Sequence, residues 1–196
     1  LINAIFAAVA TGGAVIASQY IGRGDHKSAS LAAKQLFYAS LALSAVLGVI
    51  AVFFRKPVLN MVFGSIEADV MAHAQIYFLL SAISYPFLAV YNAGAALFRS
   101  MGDSRTTMLI SILMNTINIV GNAILIYGFQ MAAAGAATAS LVSRAVGAII
   151  ITVLLLNPRR IILYDKLHKP EIHLSMLKSI LQIGVPNGLE NSIFQI

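Results

Sequence analysis

The sequence predicts an all-α, polytopic membrane protein, and three observations support this class. Hydrophobic residues make up 59% of the 196 residues and charged residues only 10%, whereas soluble chains carry about 25% charged residues. The apolar residues fall into runs of the roughly 20 residues that a helix needs to cross a bilayer. The basic residues fall mostly into the short segments between these runs. So few charges could not cover the surface of a soluble domain of this length.

Five apolar runs are long enough to be complete spanning helices, and a sixth begins near the end of the chain. The predicted helices cover residues 1–21, 35–54, 74–98, 107–127 and 131–156. We expect residues 1–156 to form the N-terminal bundle, residues 157–175 to form a cytoplasmic linker, and residues 176–196 to start a second bundle of the same chain. Both ends lie inside apolar runs, so we expect a fragment of a longer protein.

The distribution of Lys and Arg predicts the orientation of these helices. Segments 22–35, 99–106 and 157–178 fall on one side of the membrane and hold ten of the thirteen basic residues, whereas the opposite side holds Arg55 and Lys56. Because basic residues favour the cytoplasmic side of a membrane, we expect these three segments to be cytoplasmic and the protein to be a multi-pass protein of the cell membrane. Membrane topology explains the net charge of +6 without a nucleic-acid partner. The lipid bilayer is the expected partner.

Two of the predicted cytoplasmic turns resemble each other. "GDHKS" at 24–28 and "GDSRT" at 102–106 both read Gly-Asp-x-Lys/Arg-Ser/Thr. Glycine can end a helix and aspartate can cap the next one. Either an internal repeat or the convergence of tight turns on the same residue types explains the similarity.

Polar residues recur on single faces of the predicted spanning helices. At 100° per residue, Ser111, Asn115, Asn118 and Asn122 fall within an arc of about 60°. Tyr85 and Asn92 belong to a similar stripe on the 74–98 helix, where Pro86 should bend the helix. Such stripes indicate either a water-accessible cavity or hydrogen bonding between helices.

Two ionisable residues lie within predicted spans. Arg144 falls near the middle of 131–156, where a charge is costly and should face the bundle interior or a partner. Glu190 follows "GVPNGL" at about mid-depth. The Gly and Pro residues before it predict an irregular helix start, as in the broken helices that line transport sites. We expect these two residues to serve ion coupling, although a structural Arg and a Glu in a wet vestibule are the alternatives.

The sequence contains none of the motifs that would indicate an enzyme. H-E-x-x-H, G-x-S-x-G and G-x-x-x-x-G-K-[ST] are all missing, and there is no cysteine for a disulfide or a thiolate site. We therefore expect no catalytic residues, no resident metal and no cofactor beyond a coupling ion.

Four stretches resemble the multidrug and toxic compound extrusion (MATE) family of transporters. "VIASQYIGRGDHKSAS" resembles the second helix of that family with its following loop. "AGAALFRSMGDSRTTMLISILMNTINIVGNAILIYGF" resembles the fourth-to-fifth helix region. "AAAGAATASLVSR" and "IGVPNGLENSIF" resemble the starts of the sixth and seventh helices. The order of the stretches is that of the family.

This resemblance implies a fold and an activity. The fold would be twelve helices in two bundles of six, of which this chain supplies about half. The activity would be secondary antiport, which exports bulky organic and often cationic drugs or metabolites in exchange for Na⁺ or H⁺ by alternating access. Three positions depart from the family pattern. Asn122 stands where many members carry Asp, Arg144 stands near a common Gln, and Glu190 follows Pro186 by four residues rather than about eight.

We therefore expect an antiporter in which Asn115, Asn118, Asn122, Tyr85 and Asn92 bind substrate, while Glu190 and Arg144 take part in coupling to a monovalent cation or proton. A lipid-linked oligosaccharide flippase of the same superfamily is one alternative, and it would need a more cationic interior. A membrane-embedded enzyme and a passive channel are further alternatives.

Overall fold

The computed structural model describes residues 2–64, 67–158, 160–164 and 173–193, and all regular structure in these ranges is helical. The all-α class is therefore confirmed. The helices are α1 (Ile2–Gly22), α2 (His26–Phe53), α3 (Arg55–Phe63), α4 (Ala68–Ile83), α5 (Tyr85–Ser100), α6 (Ser104–Asn122), α7 (Ala132–Leu155) and α8 (Leu174–Ile193). A π-helical turn, Ala123–Gly128, continues α6.

Five membrane crossings can be recognised in the described residues by length and apolar composition. α1, α2, α7 and the continuous helix Ser104–Gly128 each qualify alone. α4 and α5 together qualify as a fifth crossing with a bend of 42°. The bend lies at Ser84, two residues before Pro86, because proline cannot donate the backbone hydrogen bond that would continue the helix.

Three helices begin before the apolar runs from which they were predicted. α2 begins at His26 rather than at residue 35, α4 at Ala68 rather than at 74, and α6 at Ser104 rather than at 107. The apolar run marks the part of a helix that suits hydrocarbon, whereas the cap marks where the helix starts. The short helix α3 lies in a segment from which no helix was predicted.

The two similar turns both cap the helix that follows them. The Asp25 carboxylate accepts a hydrogen bond from the Ser28 N–H at 3.0 Å, and the Asp103 carboxylate accepts one from the Thr106 N–H at 3.1 Å. Gly24 and Gly102, the residues before the caps, have φ of +75° and +80°, which favour glycine. Hydrogen bonds from Ser28 and from Thr106 lower the pKa of the Asp25 and Asp103 carboxyls respectively. The predicted capping role of both aspartates is confirmed.

Small residues let α7 approach α6 closely. A Cβ atom added to Gly147 would overlap the Met114 side chain, and one added to Gly121 would lie 3.0 Å from the Ala139 Cβ. A Cβ atom added to Gly135 would likewise come close to Leu125. Small residues of α7 therefore lie at this helix contact, as expected for association in a bilayer.

α8 packs on α1 with almost no side chain between the two backbones. A Cβ atom added to Gly12 would overlap the Ile180 carbonyl oxygen, and one added to Gly184 would lie 2.9 Å from the Ala8 carbonyl oxygen. A Cβ atom added to Gly188 would lie 2.7 Å from the Ala8 Cβ. The helix predicted to start the second bundle thus contacts the first spanning helix through glycines.

The segment 160–164, which follows α7, is fastened to the end of the bundle that carries the two capped turns. We call this end the basic end, and it comprises residues 22–26, 100–104, 157–158 and 160–164. Tyr164 is buried, and this burial raises the pKa of its hydroxyl. The contacts are an ion pair from Arg160 to Asp103 at 2.7 Å, a hydrogen bond from the Leu163 N–H to the Ser30 Oγ at 3.1 Å, and the ring of Tyr164 on that of Phe37 with centroids 5.4 Å apart.

Substitution of Gly12 by Ala should destabilise the α1–α8 contact. The new methyl group would overlap backbone atoms of α8, and overpacking of this kind costs about 1–3 kcal/mol. Gly22→Ala on the same helix is the matched control, because a Cβ at Gly22 meets nothing within 4 Å. Thermal unfolding of the purified full-length protein should show a lower midpoint for Gly12→Ala than for Gly22→Ala. Equal midpoints would contradict the close contact.

Removal of the Asp103 charge should cost more stability than removal of the Asp25 charge. Asp→Asn keeps a capping side chain, so the comparison isolates the ion pair to Arg160. The pKa of Asp103 is lowered in the folded state. The ionised carboxylate therefore adds to the free energy of unfolding above the usual Asp pKa, and this addition is lost as the pH falls through the lowered value. Unfolding midpoints of Asp103→Asn and Asp25→Asn should differ near neutral pH and converge in strong acid. A gap that does not depend on pH would contradict the ion pair.

Candidate functional site

α5 occupies the centre of the described bundle and separates two groups of helices. α5 packs against α1 and α2 on one side and against α7 on the other, whereas α1 makes no contact with α6 or α7 within the described residues. Six of the predicted site residues lie on α5 and on the two spanning helices that follow it, α6 and α7, and the seventh, Glu190, lies on α8.

Two of the stripe asparagines bond to each other and to α7. The Asn118 Nδ2 donates to the Ser140 Oγ at 3.0 Å, and the Asn122 Nδ2 donates to the Asn118 Oδ1 at 3.1 Å. Both asparagines are partly buried, whereas Asn115 is exposed. The predicted stripe on α6 therefore divides into a bonded pair that faces α7 and one exposed member.

The Asn122 Oδ1 is buried and has no hydrogen-bond partner among the described residues. The π-helical turn begins at the next residue, Ala123. π-helical turns occur frequently at functional sites, and a buried amide oxygen without a partner is costly. The end of α6 thus offers one free acceptor beside an irregular backbone.

Arg144 connects α7 to the bend between α4 and α5. One guanidinium nitrogen donates to the Ser84 Oγ, and the Ser84 hydroxyl donates to the Ser81 carbonyl oxygen at 2.7 Å. The C-terminal end of a helix carries partial negative charge, and Arg144 reaches the end of α4. The guanidinium therefore stabilises the bend in addition to any role in coupling.

Tyr85 and Asn92 of α5 both face α1. The Tyr85 ring packs edge-on against the Phe6 ring with centroids 6.2 Å apart, and the Asn92 Nδ2 donates to the Asn3 Oδ1 at 3.0 Å. Tyr85 is buried, whereas Asn92 is partly exposed. These two residues thus lie at the contact between α5 and α1, whereas Asn118 lies at the contact between α6 and α7.

Glu190 lies on the far helix, α8, and its side chain is exposed. It forms no ion pair or hydrogen bond with any residue in the described ranges. The prediction of an irregular start to this helix is wrong, because α8 is continuous from Leu174 to Ile193 with Pro186 inside it. Gly184 and Gly188 serve close packing against α1 instead.

The hydroxyl partners were not predicted as site residues. Ser140 and Ser84 receive hydrogen bonds from Asn118 and Arg144 respectively. Ser140 precedes Arg144 by four residues, and side chains at this spacing share a helix face. This spacing was the signal in the sequence that could have identified Ser140. Within the described residues, no group of three or more His, Asp or Glu could hold a metal ion.

The bundle consists of apolar helices with polar side chains bonded between them, and one crossing is bent near its middle. These features define a polytopic membrane protein with a polar interior of the kind that transporters use. The chain belongs to the MatE family, whose family model matches residues 1–124. The predicted family resemblance is thereby confirmed.

Named relatives and solved structures agree with this assignment. The chain is 30% identical over 203 residues to "Probable multidrug resistance protein NorM" of Thermotoga maritima, with 99% of this chain and 42% of that protein covered. It is 28% identical over 202 residues to "Uncharacterized transporter YisQ" of Bacillus subtilis, with 100% and 43% covered.

A solved inward-facing multidrug resistance MATE family transporter of the MOP superfamily superposes with a TM-score of 0.86. The two chains share 26% identity, with 96% of this chain and 42% of that chain covered. The chain therefore spans less than half the length of the proteins to which it is similar.

A double-mutant cycle should detect the bond between α6 and α7. Ser140→Ala should lower the free energy of unfolding by about 0.6 kcal/mol, which is typical of hydrogen bonds between membrane helices. Asn118→Ala should lower it by more, because it also removes the bond from Asn122. The double variant should lose less than the sum, because both changes remove the same bond. Asn115→Ala is the control and should have no effect. Strict additivity in the cycle would contradict the contact.

Proposed function

We propose that the full-length protein is a secondary active antiporter that exports small organic compounds in exchange for Na⁺ or H⁺. Membership of the MatE family supports this proposal, as do the multidrug resistance and export functions in the names of relatives such as the T. maritima protein. The proposed location is the cell membrane, with the basic end in the cytoplasm, because ten basic residues fall in the segments on that side.

The observation that carries the proposal is the set of polar side chains that bond between helices inside an otherwise apolar bundle. Asn3 and Asn92 join α1 to α5, and Asn118, Asn122 and Ser140 form a bonded group between α6 and α7. Polar groups at membrane depth are costly and commonly mark a substrate or ion pathway. We propose that Asn92, Asn115, Asn118, Asn122 and Tyr85 line this pathway.

Alternating access requires one group of helices to move relative to another. The contact between Gly12 of α1 and α8 is a close one with little side-chain volume to rearrange, which suits helices that slide or separate. A substrate and a coupling ion that prefer opposite facing states would shift the same equilibrium in opposite directions. This linkage is sufficient for exchange.

Glu190 is the proposed coupling residue. It has a free carboxyl on α8, and Gly188, two residues before it, packs against Ala8 of α1. We propose that α8, the predicted start of the second bundle, enters the membrane, where a carboxylate can hold a monovalent cation or exchange a proton.

A lipid-linked oligosaccharide flippase is less favoured, because relatives such as the T. maritima protein are named as multidrug proteins and Arg144 is the single Lys or Arg in the five complete predicted spans. An enzyme would need a catalytic cluster, and a passive channel would show no dependence on an ion gradient.

Glu190→Gln should abolish the dependence of export on an imposed Na⁺ or pH gradient. The neutral amide can neither exchange a proton nor neutralise a bound cation. Glu67→Gln, which alters a carboxyl at the start of α4, is the control and should leave the dependence intact. The measurement is export of an organic dye from proteoliposomes that contain the full-length protein. An unchanged response to both gradients in Glu190→Gln would remove Glu190 from the coupling mechanism.

A further inference from the structure

A groove lined by apolar side chains runs along α5 between α2 and α7. Both of these helices pack against α5, but they make no contact with each other in the part of the chain that the structure describes. The cavity that they leave has a volume of about 300 Å³. We call it the α2–α7 groove. Its lining includes Phe37, Leu41, Pro86, Val90, Ile149 and Val153.

The walls of the α2–α7 groove suit hydrocarbon rather than a polar ligand. Thr152 carries the single side-chain hydroxyl group among the described lining residues. This hydroxyl donates to the Ala148 carbonyl oxygen at 2.7 Å, within α7 itself. The other lining side chains are aliphatic or aromatic. A ligand in the groove is therefore held by the burial of apolar surface, which is worth about 25 cal/mol per Å².

The groove lies at the depth of the hydrocarbon layer, in the half of the crossing nearest the basic end. Leu41 and Ile149 belong to crossing helices, and their side chains are 39% and 60% exposed. Thr152 lies one turn before the end of α7, and Pro86 marks the other limit of the groove at the bend between α4 and α5. The acyl chains of one leaflet fill about half of a core roughly 30 Å thick. An acyl chain of the leaflet at the basic end thus runs over the depth of this groove.

The described helix of the predicted second bundle leaves the groove to the lipid. α8 packs on α1 and α2 and makes no contact with α5 or α7 within the described ranges. It contributes no residue to the lining of the groove. The bilayer, which surrounds any crossing helix, therefore supplies the occupant that fits both the position and the chemistry of the walls.

A cation lies on the same helix face at the end of the groove nearest the basic end. Lys34 precedes Phe37 by three residues and Leu41 by seven, and side chains at these spacings share one face of a helix. A lysine can lay its methylene chain along apolar surface while its ammonium group reaches the edge of the membrane. Basic groups at this edge attract anionic headgroups. The apolar groove and Lys34 thus match the two parts of an anionic phospholipid.

We infer that the α2–α7 groove binds an acyl chain of an anionic phospholipid from the leaflet at the basic end, with the phosphate beside Lys34. The bound chain contacts α2 and α7 together, although these helices do not contact each other in the described residues. Because such a lipid binds the folded bundle, it stabilises that bundle against unfolding. The site is separate from the polar residues proposed to line the export pathway.

Lipid binding to the purified full-length protein tests the groove. Native mass spectrometry can count bound phosphatidylglycerol and phosphatidylcholine with identical acyl chains. Leu41→Trp should weaken the binding of both lipids at least fivefold, because the indole ring fills the groove. Val46→Trp is the matched control on the same helix, since Val46 is 55% exposed and lies outside the groove lining. It should leave the binding of both lipids unchanged.

The headgroup assignment has its own pair of variants. The wild-type protein should bind phosphatidylglycerol at least threefold more tightly than phosphatidylcholine. Lys34→Gln should remove this preference and leave the binding of phosphatidylcholine unchanged. Arg105→Gln removes a charge from the start of α6, which makes no contact with α2 in the described residues. This control should keep the preference.

The thermal unfolding midpoint provides a second measurement. Added phosphatidylglycerol should raise the midpoint of the wild-type protein and of Val46→Trp, and should raise that of Leu41→Trp much less. If another segment of the full-length chain fills the groove, Leu41→Trp should lower the midpoint without lipid and bind both lipids as Val46→Trp does. That result would overturn the inference, as would equal lipid preferences in Lys34→Gln and Arg105→Gln. None of these measurements depends on export, so their failure would leave the antiporter proposal in place.

Discussion

The absence of water in the bilayer interior is the constraint on which this structure depends. Every backbone N–H and C=O in that layer must be paired within the protein, which makes each crossing a helix and allows a break only where other groups take over. At Ser84 the break is supported by the Arg144 guanidinium from a neighbouring helix. The same constraint leaves polar side chains in the spanning region facing other helices, because lipid offers them no partner.

The constraint also explains why glycine is used so heavily between helices. Lipid tails are as apolar as leucine, so large side chains gain little by leaving lipid for a helix contact. Two helices gain dispersion contacts instead when their backbones come close together. The α1–α8 and α6–α7 pairs both show such a close approach at glycines. Between these two tight contacts lies α5, and its neighbours on either side, α1 and α7, make no contact in the part of the chain that the structure describes.

Much of this arrangement could be predicted from the sequence, because hydropathy and capping are local properties. The crossings and the aspartate caps were both predicted from short windows. The polar stripes were predicted as helix faces, but their partners were not. Whether Asn118 faces Ser140 while Asn92 faces Asn3 depends on how helices far apart in the chain are rotated and ordered. A single sequence does not encode this order in any local pattern.

The prediction of an irregular start to α8 was wrong, and the reason is physical. Gly184, Pro186 and Gly188 suggested a broken helix, since glycine and proline are poor helix formers in isolation. In the structure the two glycines provide room for α1, and the helix continues through the proline. Tertiary packing therefore outweighed local propensity, and the composition that signals a break in one setting signals a contact surface in another.

Contacts near the basic end fix the start of α8 and leave its other end at a distance from them. Tyr164 packs on Phe37 of α2, and the His173 N–H donates to the Gln35 Oε1 at 3.2 Å, so the chain on both sides of residues 165–172 is tied to one turn of α2. Glu190 lies about 24 Å along the helix from Leu174. A tilt of about 10° around the anchored end therefore carries Glu190 through about 4 Å. In such a tilt the anchored end of α8 would stay nearly still, and the carboxylate near its other end would move by more than the diameter of a water molecule.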